Sequence, residues 1–511
     1  MKKVSKYTIT LLSAMFSSNG LTTDLNIATV NNAHMMEMQK LTPEFERQFP
    51  DIKLKWHVYN EGSLRMRSIA DIASEGGRYD VVTIGLYETP IWAKRDWLIP
   101  LELDANYDVN DLLPPIKSGL SYQGKLYAAP FYGESSMLMY RKDLLKKAGL
   151  SFNKRPTWDE ILNTAKAIHD PDNEVYGICL RGKAGWGDNM ALVSTIVNSF
   201  GGRWFNMDWQ PEINSATWNK AVSFYVNLLT SYGPPNSENN SFTEILALSR
   251  AGKCGMWVDA SIAASFLTDK AQSKFAEQWA YSESPYQVTT KGASWLWSWS
   301  LAIPKEAANV AAAQTFINWA TSKDYIKLVA GANGWANVPT GTRLSTYKNP
   351  SYVKAVGEFA EAELNALNTA DPEHNTLHPS PYSGIQFVPI PEFVSIGGST
   401  GQKITDALKG KITVSQALNS SQKMATRELT RAGYYDKVVN KVNSKALTSA
   451  VKSEFIAIPE VVAIEVSSEP ETTEVLTEKT IDSQLLNNPQ NDAVSELITI
   501  TDNQQPESDA N

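Results

Sequence analysis

The chain has 511 residues, 42% hydrophobic and 20% charged, with 15 Trp, 20 Tyr and 16 Phe, which asks for two or three folded units with substantial cores. Its formal charge of −8 gathers at one end: residues 441–511 hold 4 Lys against 13 Asp and Glu, while the first 440 residues are nearly neutral, with 43 basic and 42 acidic groups. That balance excludes the basic face that nucleic acid or an anionic lipid surface would need, so neither is expected as a partner.

The first residues read as a leader. Lys2, Lys3 and Lys6 form a positive start, Tyr7 to Phe16 a short and mostly apolar run, and Ser17 to Gly20 a stretch of small residues; a signal peptide is expected over 1–22. No later segment has the apolar run of a membrane span, and no cysteine follows the leader to carry a lipid. The expected location is the periplasm of a Gram-negative-type cell, with no membrane insertion of the mature chain. Cys179 and Cys254 are the only cysteines. In an oxidising compartment they favour a disulfide, two buried thiols being the alternative, and they do not suffice for a metal site.

In chain order, "DLNIATV" predicts a strand and "HMMEMQKLTPEFERQFP" a helix with Met35, Met38, Phe45 and Phe49 along one stripe. "IKLKWHVYN" alternates as a strand, Ser63–Glu75 reads as a helix, and the core of "YDVVTIGLYE" suits a strand buried on both faces. Strand, helix, strand, helix, strand is the pattern of an α/β unit with a parallel sheet.

A second unit of the same class begins after "YAAPFYGESSMLMY". Thr157 and Glu160 have the spacing of a capping box before the stripe Trp158, Ile161, Leu162, Ala165, Ile168. Strand-like "YGICL", two helical stretches and strand-like "CGMWVDA" follow. Then comes "GASWLWSWSLAIP", which as a strand puts Trp295, Trp297 and Trp299 on one face. "NVAAAQTFINWATSKDYIKLVAG" reads as helix. From about Lys441, Ser, Thr, Glu and Asn dominate and predict a disordered acidic tail over 441–511.

Signs of catalysis are missing. The chain has no HExxH, no phosphate-binding loop and no GxGxxG after a strand. The GxSxG match "GGSTG" at Gly397–Gly401 lacks the strand–elbow–helix frame of a nucleophile, so no catalytic residue, metal or cofactor is expected. Carboxylate pairs keep a glycosidase as the alternative.

The ordered stretches "YDVVTIGLYETPIWA", "LYAAPFYGESSMLMYRKDLLKKAG", "YGICLRGKAGWGDNMA", "FGGRWFNMDW", "AGKCGMWVDASIAA", "WLWSWSLAIP", "GWANVPTGTR" and "PYSGIQFVPIPEF" resemble the family 1 extracellular solute-binding proteins of ABC importers. Their polyol branch, for mannitol and sorbitol, is the most similar. The likeness spans about residues 24–438, and the acidic tail departs from it. It implies a periplasmic-binding-protein-like fold, two α/β lobes joined by a multi-crossing hinge around a ligand cleft. Lobe one would be 24–132 plus 300–336, and lobe two 133–299 plus 337–438. Crossings are expected near Tyr132–Glu134, Trp299–Leu301 and Trp335–Thr340. The implied partners are a small polyol or sugar and the permease subunits of the transporter, with the receptor a monomer; a receptor for an oligosaccharide is the neighbouring alternative.

Ligands of parallel α/β sheets sit at the carboxyl ends of strands. Asn31 and Asn32, Glu61, and Tyr87 with Glu88 occupy those ends in lobe one and suit vicinal hydroxyls; helix capping is the rival role for Asn31, Asn32 and Glu61. In lobe two, Arg181 offers a forked donor set against the rival of a surface ion pair, Trp186 a stacking platform in a Gly-rich loop, and Asp188 or Asn189 polar contacts. Trp257 and Asp259 share a strand face. Trp295 or Trp297 is expected to reach ligand, with Trp299 more interior, and Tyr132, Glu134 and Trp335 complete the set at the crossings.

Overall fold

The computed structural model describes residues 22–152 and 155–435; the expected leader and the acidic tail lie outside them. The strands of the seven-stranded sheet are β1 (Thr23–Val30), β2 (Ile52–Tyr59), β3 (Val81–Gly85), β4 (Ala128–Arg141), β5 (Met256–Ala260), β6 (Trp279–Glu283) and β7 (Leu296–Ala302). β1 pairs in parallel with β2 and with β3. All five residues of β3 are buried, as a central strand covered on both faces requires. β2 is the edge strand, and Leu54 is its one buried residue.

β7 runs antiparallel between β3 and β4. β4 is the long element that joins the halves. Ala128–Ser135 pairs with β7, and Ser136–Tyr140 pairs with β5, which brings in the second half of the core. The β4–β7 register slips between Pro130 and Tyr132, where proline has no N–H for the ladder. Beside that slip, the Gly133 N–H donates to the Thr340 carbonyl at 2.8 Å. A Cβ on Gly133 would overlap the Gly341 carbonyl, so these two segments touch backbone to backbone here.

Several sequence expectations are refined. The first helical stretch divides into Ala33–Lys40 and Thr42–Gln48, because Pro43 suits the first turn of a new helix and not the interior of an old one. "NVAAAQTFINWATSKDYIKLVAG" divides at Ser322, whose side chain caps Lys323–Asn333 by accepting from the Tyr325 N–H at 3.0 Å. "YGICL" makes only isolated bridges, Tyr176 to Cys254 and Cys179 to Trp257. Between them the Ile178 N–H turns to the Tyr232 carbonyl, which interrupts the ladder. "GGSTG" lies inside the helix Phe393–Leu408. Its glycines let that helix approach Trp186 and Asn189 closely, so packing accounts for the motif. The Thr157–Glu160 capping box is present. No helix among the described residues is long and apolar enough to cross a membrane.

Candidate functional site

One wall is built on the helix Glu61–Ala73, which follows β2. Asn60 caps it by accepting from the Ser63 N–H at 2.9 Å, so Glu61 is released from the capping role. Glu61 instead pairs with Arg65 one turn later, and Arg65 also pairs with Glu88. Glu88 is buried and accepts from the Gly85 N–H at 3.0 Å at the end of β3. Burial alone would lower the Arg65 pKa; the charges of Glu61 and Glu88 outweigh it and hold the group firmly cationic. The Arg65 guanidinium carbon lies 4.6 Å from the Trp186 ring, 5.5 Å from Trp299 and 5.8 Å from Trp297, within cation–π range of all three.

The other wall mirrors this arrangement. Arg181 donates twice to Asp259, at 2.9 and 2.6 Å, and from Nη1 to the Gly187 carbonyl at 3.0 Å. Asp259 is fully buried and also accepts from the Trp257 indole N–H at 3.0 Å. The Arg181 guanidinium lies 5.6 Å from both Trp295 and Phe242. A disulfide joins Cys179 to Cys254. It fixes the Arg181 segment to the strand that carries Trp257 and Asp259. The tryptophan row therefore has a definite use: Trp297 and Trp299 sit against one arginine and Trp295 against the other.

Between the walls, β4 presents Tyr132 and Glu134. The Asn32 amide donates to the Tyr132 hydroxyl at 3.3 Å, while its oxygen caps the next helix by accepting from the Met35 N–H at 3.0 Å. The His34 ring lies 4.9 Å from Tyr132, and burial, only partly opposed by Glu37, pulls its pKa down to about 4. Burial also pushes Glu134 up to about 8, against the pull of Arg181 and with added repulsion from Asp259, Glu363 and Glu61. Three buried polar atoms here have no hydrogen-bond partner in the protein: Arg65 Nη2, the Trp295 indole nitrogen and His34 Nε2. Buried groups of this kind are nearly always satisfied, so they point to a hydrogen-bonding guest.

The remaining expected residues fall differently. Asn31 is exposed at the end of β1. Tyr87 donates to the Ile390 carbonyl at 2.7 Å and its ring meets Trp186 at 5.0 Å. Asp188 accepts from Ser241. Asn189 is fully buried, and its amide donates to the Gly401 carbonyl and the Thr405 hydroxyl. Trp257 is likewise interior and acts through Asp259. The Arg181 partner is a buried carboxylate, not a surface one. Trp186 joins an aromatic group with Tyr87, Trp297, Phe387 and Phe393. Trp299 is no more interior than Trp297. Trp335 heads a short 3-10 turn and shares no ring contact with this group among the described residues. Arg65, His34 and Phe387 were not foreseen. The one local signal was the Glu61–Arg65 spacing of a helical ion pair.

The mixed α/β fold, with arginine–carboxylate pairs set against the tryptophans of β7, is of the periplasmic-binding-protein type. The chain belongs to the bacterial extracellular solute-binding proteins, whose pattern matches residues 32–327. It is 51% identical over 411 residues to a mannitol-binding protein of Pseudomonas aeruginosa, covering 80% of this chain and 94% of that one. A crystal structure of an ABC transporter solute-binding protein from Agrobacterium vitis, with bound D-mannitol, superposes with a TM-score of 0.78 at 53% identity, covering 81% of this chain and 99% of that one. A solute-binding protein from Agrobacterium radiobacter in complex with ribitol shares the fold, with a TM-score of 0.69 at 24% identity and coverage of 80% and 99%.

Proposed function

We propose that the chain is the exported, periplasmic receptor of an ABC importer and captures a linear sugar alcohol of the mannitol or sorbitol type, without chemistry, for delivery to the permease. The observation that carries this reading is the pair of arginine–carboxylate walls with three unpartnered polar atoms between them. A polyol offers hydroxyls to those atoms and C–H faces to the indoles. The mannitol-binding relative and the mannitol-bound structure support the substrate class.

Capture draws on both lobes, which we assign as 24–132 plus 300–336 and 133–299 plus 337–438. Arg65, Glu61, Asn32 and His34 come from the first, and Arg181, Asp259 and Trp186 from the second. Ligand that touches both favours the closed arrangement. The contact of Gly133 with Thr340 and Gly341 lies where two crossings must bend together. The catalytic alternative has little to work with: Glu61 and Glu88 are held by Arg65 and Asp259 by Arg181, and Glu363, the remaining carboxylate acting on Glu134, accepts from the Ser261, Thr340 and Tyr347 hydroxyls.

The test is a thermal-shift panel of D-mannitol, D-sorbitol, ribitol and maltose, with recovery of each compound afterwards. Stabilisation by the hexitols and their return unchanged is expected. A shift with maltose alone would favour an oligosaccharide receptor, and a cleaved product would favour an enzyme.

A further inference from the structure

We propose that Arg65 sets the shape of the ligand: its guanidinium covers the indole faces a sugar ring would need and so confines the crevice to open-chain polyols. This rests on the polyol reading above. Sugar rings are held on proteins by laying a C–H face on a bare aromatic face. Here the faces of Trp186, Trp297 and Trp299 converge on one guanidinium, at 4.6, 5.8 and 5.5 Å.

The group is anchored on two sides. Glu61 and Glu88 both pair with it, and Glu88 is itself buried and fixed by the Gly85 N–H. A ring could reach the indoles only by pulling a desolvated cation off two carboxylates. An open chain needs no such displacement. It can bend its staggered hydroxyls toward Nη2, the one nitrogen of Arg65 with no partner in the protein.

Arg181 is more fully engaged than Arg65, although two of its five N–H groups stay unused. Each of its three nitrogens already has a protein acceptor, Asp259 for two and the Gly187 carbonyl for the third. It shapes the opposite wall, while Arg65 combines a covering face with an unspent donor. Selection between ring and chain therefore falls to Arg65.

The experiment is calorimetric titration of the full chain with D-mannitol and with methyl α-D-glucopyranoside. It compares the unmodified protein, Arg65→Lys, and the double variant Arg65→Ala with Glu88→Gln, which avoids stranding a buried carboxylate. The compact ammonium of Arg65→Lys retains the charge that Glu88 needs for folding but does not cover the indoles. Both variants are expected to lose D-mannitol affinity by at least about tenfold and to gain binding of the glucopyranoside, which the unmodified protein ignores. Affinity for D-mannitol within about threefold of the unmodified protein overturns the inference, as does a loss with no gain of the ring sugar. Failure of the unmodified protein to bind D-mannitol would instead overturn the polyol reading on which it rests.

Discussion

Arg65, on the helix Glu61–Ala73, lies 4.6 Å from the ring of Trp186, in the loop that follows Arg181. The same guanidinium reaches Trp297 and Trp299 on β7, so one cation meets three indoles from two remote stretches of the chain. Arg181 occupies the corresponding place against Trp295. Indoles and guanidiniums are thus used in pairs, and buried polar atoms of Arg65 and Trp295 are left without a partner in the protein.

Removing one member of the second pair exposes the cost of burying it. Asp259 is fully buried, so Arg181→Met leaves an uncompensated charge, and a stability loss of about 3–5 kcal/mol is expected. Adding Asp259→Asn should restore most of it, since the amide oxygen can still accept from the Trp257 N–H. Urea unfolding of the two single variants and the double variant measures the coupling.

The disulfide should serve both stability and binding. It closes a sequence separation of 75 residues, for which chain entropy gives about 4 kcal/mol. Replacing Cys179 and Cys254 together by alanine should lower stability by about that much. It should also weaken polyol binding, because Arg181 follows Cys179 by two positions. Paired denaturation and titration experiments on the same variant check both effects.

How much of this was legible in the sequence depends on the range of each signal. The strands Thr23–Val30 and Val81–Gly85 and the Thr157–Glu160 capping box are written in adjacent residues and were readable. The Trp295–Trp297–Trp299 row was readable as a pattern, but its partners were not. Arg65 and Arg181 arrive from remote parts of the chain, and nothing local to "WLWSW" announces them. Asn189 misled because a polar residue at a helix start looks like a ligand contact, whereas packing of the helix Phe393–Leu408 uses its amide internally. The helix breaks depend on single residues, Pro43 in the first turn of one helix and the Ser322 cap of the other, that a continuous apolar stripe conceals.

Glu134 gives ligand-free stability a definite pH dependence. Its folded pKa of about 8 lies above the ordinary 4.5, so between those values the folded chain holds a proton the unfolded chain has lost. That contribution is complete below about pH 4.5 and disappears as pH rises through 8. His34, lowered from 6.5 to about 4, acts in the opposite sense, its contribution growing as pH rises from 4 to 6.5. Of these two groups only Glu134 still titrates above 6.5. Stability should therefore fall between pH 6.5 and 8, by at most about 1.4 kcal/mol per unit. Chemical denaturation across that window should show the decline in the unmodified protein and its absence in Glu134→Gln; equal slopes would remove Glu134 as the cause.

Gly85 tests whether the indole platform matters. A Cβ there would overlap the Trp297 ring. Gly85→Ala should displace that ring and cost about 1–3 kcal/mol of stability. Polyol affinity should fall with it, which titration by tryptophan fluorescence would detect.

In the proposed function a linear polyol closes two arginine-built walls on itself and leaves unaltered. Isothermal titration of the full chain with D-mannitol tests this most directly. Saturable one-to-one binding with Kd on the order of micromolar, about −8 kcal/mol, and recovery of intact D-mannitol are expected. No measurable heat with D-mannitol, D-sorbitol or any other open-chain polyol would contradict it.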